Sequence, residues 1–68
     1  MEGTVVWYNA VRGYGFIEPA HGGGDVVFSR AALASTFDAE GPRHGNSVCY
    51  EVADGEQGPE AIDVKPAG

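Results

Sequence analysis

The sequence predicts a small all-β barrel, and three observations carry that prediction. Short stretches rich in β-branched and aromatic residues recur along the chain, and segments rich in glycine, proline and Asx residues separate them. No stretch holds a helical period long enough to stand as a helix. Five such strands joined by glycine-rich turns form a closed β architecture. The 68 residues allow one domain, taken as 1–68, with a small core and no internal repeat or linker.

The first strand is Gly3-Thr4-Val5-Val6-Trp7-Tyr8-Asn9. Its alternation is imperfect, which points to a bulge near Trp7. Trp7 is placed outward, opposite Val5 and Tyr8, against the competing reading of a core tryptophan. Asn9 to Arg12 is short enough for a hairpin turn. The stretch that follows, Arg12-Gly13-Tyr14-Gly15-Phe16-Ile17, is the centre of the chain. In a strand, Tyr14 and Phe16 share one face, Gly13 and Gly15 leave the other nearly empty, and Ile17 enters the core from the glycine side. Rings alternating with glycines read as an exposed platform on which any nucleobase can stack. The order of basic residue, Gly, aromatic, Gly, Phe and aliphatic also fits the RNP1 pattern.

Pro19 ends this second strand, since it cannot donate to a ladder. Ala20 to Gly24 reads as a loop tip. No Lys-Ser or Lys-Thr follows its triple glycine, which argues against a phosphate cradle. Asp25-Val26-Val27-Phe28-Ser29 is a third strand with Val26 and Phe28 facing the core. Arg30 to Ala34 makes a single helical turn that tucks Leu33 under the sheet, and Ser35 to Asn46 is a long loop. Ser47 to Val52 alternates, with Val48, Tyr50 and Val52 inward and Cys49 and Glu51 outward. Asp54 to Gly58 is a turn around a favoured Asp-Gly pair, and Pro59 to Lys65 is the last strand, with Ile62 or Val64 inward.

Composition narrows the chemistry. Ten Asp and Glu against four Lys and Arg give a net charge of −6, which weighs against a generic phosphate binder. Nucleic-acid binding would then rest on stacking more than on charge, with the acidic residues as a solubilising face. The single cysteine, Cys49, permits no internal disulfide and suits a reducing, cytoplasmic setting. No apolar run approaches the ~20 residues of a membrane span, and no signal pattern opens the chain. His21 and His44 lie in loops without partner ligands, and Ser29 and Ser35 lack a His–Asp partnership. The expectation is therefore a binder without chemistry: no enzyme, no cofactor, no metal and no membrane.

With these motifs in order, the chain resembles the single-domain bacterial cold-shock family over nearly its whole length. Gly3 to Asn9, the RNP1-like Arg12 to Ile17, Asp25-Val26 at the RNP2 position and Gly55 to Ala61 in the closing hairpin carry the resemblance. An RRM would also need two amphipathic helices, for which there is no room. The resemblance implies a five-stranded antiparallel OB-fold barrel that binds single-stranded RNA or DNA and acts as an RNA chaperone. It places Trp7, Tyr14 and Phe16 at stacking positions, Phe37 as the long-loop aromatic that closes over a base, and Asn9 and Asp25 near base edges.

The departures cluster in RNP2. Val27 and Ser29 stand where a stacking Phe and His belong, Phe28 takes an inward position usually held by Val, and Arg30 replaces a third aromatic. A guanidinium plane can itself stack on a base. Gln57 stands where a basic residue is common, and Arg12 is retained. Losing two stacks with partial replacement weakens binding by roughly 2–4 kcal/mol. Two function classes follow. The first is single-stranded nucleic-acid binding, with Arg12 and Arg30 meeting phosphates; the second is a protein-interaction module using the same aromatic face. A monomer is expected, with a strand-swapped dimer hinged at Ser35 to Asn46 as the alternative.

Overall fold

Five strands close into a barrel in the order β1-β2-β3-β5-β4 in the computed structural model, which describes residues 1–37, 40–56 and 58–67. The strands are β1 (Glu2–Asn9), β2 (Tyr14–Pro19), β3 (Val26–Ser29), β4 (Ser47–Gly55) and β5 (Gly58–Pro66). A single 3-10 turn, Arg30–Ala32, follows β3. Neighbours are antiparallel except β3 and β5, which run parallel. The barrel is the expected five-stranded one, with this single parallel pair among otherwise antiparallel neighbours in the described strands. Parallel neighbours need a long crossover, and the connection from β3 to β4 together with β4 itself supplies it.

Two irregularities decide which side chains face out. Pairing along β1 jumps from Val5↔Ile17 to Trp7↔Phe16, so Val6 is an extra residue opposite β2. Strict alternation would send Trp7 to the same side as the buried Val5. The bulge turns it outward. The second irregularity lies between β4 and β5, where Cys49↔Lys65 gives way to Glu51↔Ile62, so that Asp63 and Val64 both oppose Tyr50. Asp63 takes φ 52°, a left-handed conformation that Asp tolerates better than most residues. The phase flip lets Val64 and Ala61, three positions apart, both reach the core, and leaves Ile62 half-buried.

The core consists of Val5, Ile17, Val26, Phe28, Val48, Tyr50, Ala61 and Val64. Phe28 lies inside and stacks on the half-buried Tyr8 at 5.6 Å between ring centroids. Its ring also fills the space under Gly15, where a Cβ would come within 2.9 Å of it. The glycine side of β2 is thus occupied rather than empty. Gly13, read as part of that strand, instead sits in the β1–β2 turn at φ 76°. Leu33 is held against β5 through a bridge to Val64, as the single-turn reading expects. The Tyr50 hydroxyl is buried without a hydrogen-bond partner among the described residues, and burial pushes its pKa up.

Val52 departs from expectation, being 40% exposed. β1 pairs with β4 only from Glu2↔Cys49 to Thr4↔Ser47, so β4 beyond Tyr50 has β5 as its one paired strand neighbour. Parity points Val52 inward beside its partner Ala61, but without β1 on its other side it stays partly open to solvent. The expected turn over Asp54 to Gly58 also shortens, because β4 runs on to Gly55 and β5 resumes at Gly58.

Candidate nucleic-acid interface

Cross-strand partners share a face of a sheet, and two rows of them run across β1, β2 and β3. One is Trp7–Phe16–Val27; the other is Asn9–Tyr14–Ser29. The bulge at Val6 and the period of β2 bring Trp7, Tyr14 and Phe16 together on this outer face. Trp7 meets Tyr14 edge-on with centroids 5.2 Å apart and lies over Phe16 at 6.2 Å with the planes 27° apart. Tyr14 and Phe16 meet edge-on at 6.0 Å. Each ring is thereby braced by the other two in ordinary aromatic-pair geometry. Trp7 remains 41% exposed and the other two are half-exposed, so ring surface is left for a ligand.

The β3 side carries the same rows without rings. Val27 is half-buried beside Phe16, and Ser29 is half-buried beside Tyr14. Across the parallel pair the first row continues into Glu60. A groove beside Val27 is lined by Asp54, Gly55, Glu56, Gly58 and Glu60. Asp25 is exposed just before β3. From sequence Glu60 reads only as a residue of the last strand in the closing hairpin, with no place on this face. The signal for it lay in the β3–β5 pairing, which no local pattern announces.

Several expected contacts turn out to serve the fold. The Asn9 Oδ1 accepts from the backbone N–H of Val11 at 2.9 Å and of Arg12 at 3.0 Å, closing the β1–β2 turn, so its carbonyl is not free for a base edge. Arg12 is exposed at that turn. Arg30 donates through Nη2 to the Ala10 carbonyl, its Nε lies 3.5 Å from the Tyr8 hydroxyl, and its backbone N–H donates to the Gly13 carbonyl at 2.8 Å. It clamps the same turn from the 3-10 turn after β3 instead of standing as an unattached cation. Phe37, expected to close over a base, lies half-buried against the core. Its backbone N–H donates to the Ala34 carbonyl at 3.2 Å. Gln57 lies outside the described residues.

Among the described residues, no group of three or more His, Cys, Asp or Glu is arranged to hold a metal ion, and no helix is long and apolar enough to cross a membrane.

The comparisons with known proteins converge. The family model described as the 'Cold-shock' DNA-binding domain matches residues 1–67. Cold shock protein ScoF of Streptomyces coelicolor is 38% identical over 68 residues, covering 96% of each chain. Cold shock-like protein CspC of Escherichia coli is 36% identical over 64 residues, covering 94% of this chain and 91% of its own. A solved structure, Drosophila Unr CSD456, superposes with a TM-score of 0.78 at 18% identity. The match covers 98% of this chain and 26% of that longer one, and bears on the fold alone.

Proposed function

This chain belongs to the 'cold-shock' DNA-binding domain family, and on that premise we propose that it binds single-stranded RNA or DNA by stacking bases on Trp7, Tyr14 and Phe16. The observation that carries the reading is the cluster of three mutually braced rings on one outer face. Pre-positioned rings lose little freedom on binding, and every base has a π-face, so stacking is tolerant of sequence. Arg12 meets phosphates at the turn. Val27 adds an apolar contact, Ser29 and Asp25 offer polar groups, and the Arg30 plane lies alongside. The result is an equilibrium binder, in a cytoplasmic setting, that holds strands open as an RNA chaperone does. Its affinity is weakened where β3 lacks rings.

Trp7 fluorescence tests this directly. Titration with short oligo-dT and oligo-U at two salt concentrations should show saturable quenching that weakens with salt, because bound phosphates release counterions. The signal should vanish in Tyr14→Ala plus Phe16→Ala. A flat titration of well-folded protein up to high micromolar ligand defeats the proposal.

A further inference from the structure

The outer face is electrically lopsided. At the β1–β2 turn it carries Arg12 and Arg30. At the opposite side the aromatic row ends in Val27, and the next residue along it is Glu60. Among the described residues, the groove beyond Val27 is lined by three carboxylates and two glycines, with no Lys or Arg. Two separate features therefore coincide at one place: the row runs out of rings where its surroundings turn acidic.

Resting on the stacking reading above, we infer that Asp54, Glu56 and Glu60 end the nucleic-acid footprint at Val27. The chain then engages about three nucleotides, one for each ring of the platform. A strand laid over Trp7, Tyr14 and Phe16 is drawn toward the arginine side. Extending it over Val27 gains no stack and carries its phosphates along a groove of like charge, where repulsion acts within a Debye length of about 10 Å at 0.1 M salt. Lengthening a strand past Val27 therefore adds no binding energy. The ligands favoured are short unpaired stretches, such as small loops, bulges and gaps, over long single strands.

The length dependence of binding tests the inference. Wild-type protein is titrated with oligo-dT of three, four, six and nine nucleotides at low salt, following Trp7 quenching and dividing each affinity by the number of binding registers. The corrected affinity should level off by four nucleotides. In Asp54→Asn/Glu56→Gln/Glu60→Gln the nine-mer should gain on the order of tenfold, while the three-mer changes by less than about twofold. Glu2→Gln/Glu51→Gln/Asp63→Asn makes the same change in net charge outside the groove and should leave the plateau in place. Thermal melts confirm that both variants are folded. A wild-type affinity that keeps rising beyond six nucleotides overturns the inference, as does an equal gain in both triple variants. Absence of quenching by every oligonucleotide is a different result, which removes the stacking reading itself.

Discussion

The two halves of the outer face are built on one ladder and end differently. On β1 and β2, three rings stand 5.2 to 6.2 Å apart, one of them turned outward by a bulge. On β3 and β5, the same row continues as Val27 and Glu60. The ring that this half lacks is not absent from the molecule. It sits one residue along, as Phe28, and the period of two sends it inside, under Gly15 and against Tyr8. A one-residue change of phase transfers an aromatic from the face to the core. The first half is specialised for presenting rings, and the second has put its ring into packing.

The largest effect should come from Gly15, where the halves meet. A Cβ there would come within 2.9 Å of the Phe28 ring and closer still to the Trp7 carbonyl, which is backbone and cannot give way. Gly15→Ala should destabilise the fold by about 3 kcal/mol, at the upper end of overpacking, read as a lower midpoint in thermal or urea melts. Adding Phe28→Val should recover only part of that loss, because the carbonyl clash remains. Full recovery would mean that Phe28 alone fills the glycine side.

Next come the rings themselves. Trp7→Ala, Tyr14→Ala and Phe16→Ala should each weaken oligonucleotide binding by about 1–3 kcal/mol, whereas Val27→Ala should change it by less than about 0.5 kcal/mol. Titration calorimetry serves where Trp7 is removed. Val27→Phe should restore a stack and tighten binding by about 1 kcal/mol. Equal losses for Phe16→Ala and Val27→Ala would erase the proposed difference between the halves.

How far these features can be read from sequence depends on whether the deciding contact is local. The strand periods, the turn after Asn9, the outward Tyr14 and Phe16 and the inward Val26 and Phe28 are all alternation within a few residues, and the structure has them. The bulge near Trp7 was legible because the alternation falters there. What escaped depends on partners distant in the chain. Glu60 joins the face through a parallel pairing, Val52 stays partly open because β1 pairs no further along β4, and Arg30 bonds to Ala10 from twenty positions away. Phe37 belongs with them: its loop has no period, so only the folded barrel decides which surface its ring meets.

Tyr50 sharpens the comparison by changing stability away from the face. Its hydroxyl is buried with no partner among the described residues, so Tyr50→Phe should stabilise the fold by about 1 kcal/mol. The raised pKa gives a second reading. Burial favours the neutral phenol, so this contribution is complete below the ordinary tyrosine pKa of 10.0 and is lost as pH climbs through the higher folded value. Wild-type protein should lose stability above about pH 10, and Tyr50→Phe should lose less. Binding near neutral pH should not move in this variant, which separates effects on the face from effects on the fold.

The smallest effects distinguish the two arginines beside the platform. Arg12 is exposed at the turn and Arg30 is bonded to it, so their removal should register in different measurements. Arg12→Ala should lower the slope of log affinity against log salt by about 1 and leave the melting midpoint in place. Arg30→Ala should remove about 0.5–1 kcal/mol of stability by freeing the Ala10 carbonyl, with little change in that slope. An Arg30→Ala slope that falls as far as the Arg12→Ala slope, at unchanged stability, would make both arginines phosphate contacts. The basic side of the face would then be twice as strong as the clamp geometry allows, and the contrast with the carboxylates beyond Val27 correspondingly steeper.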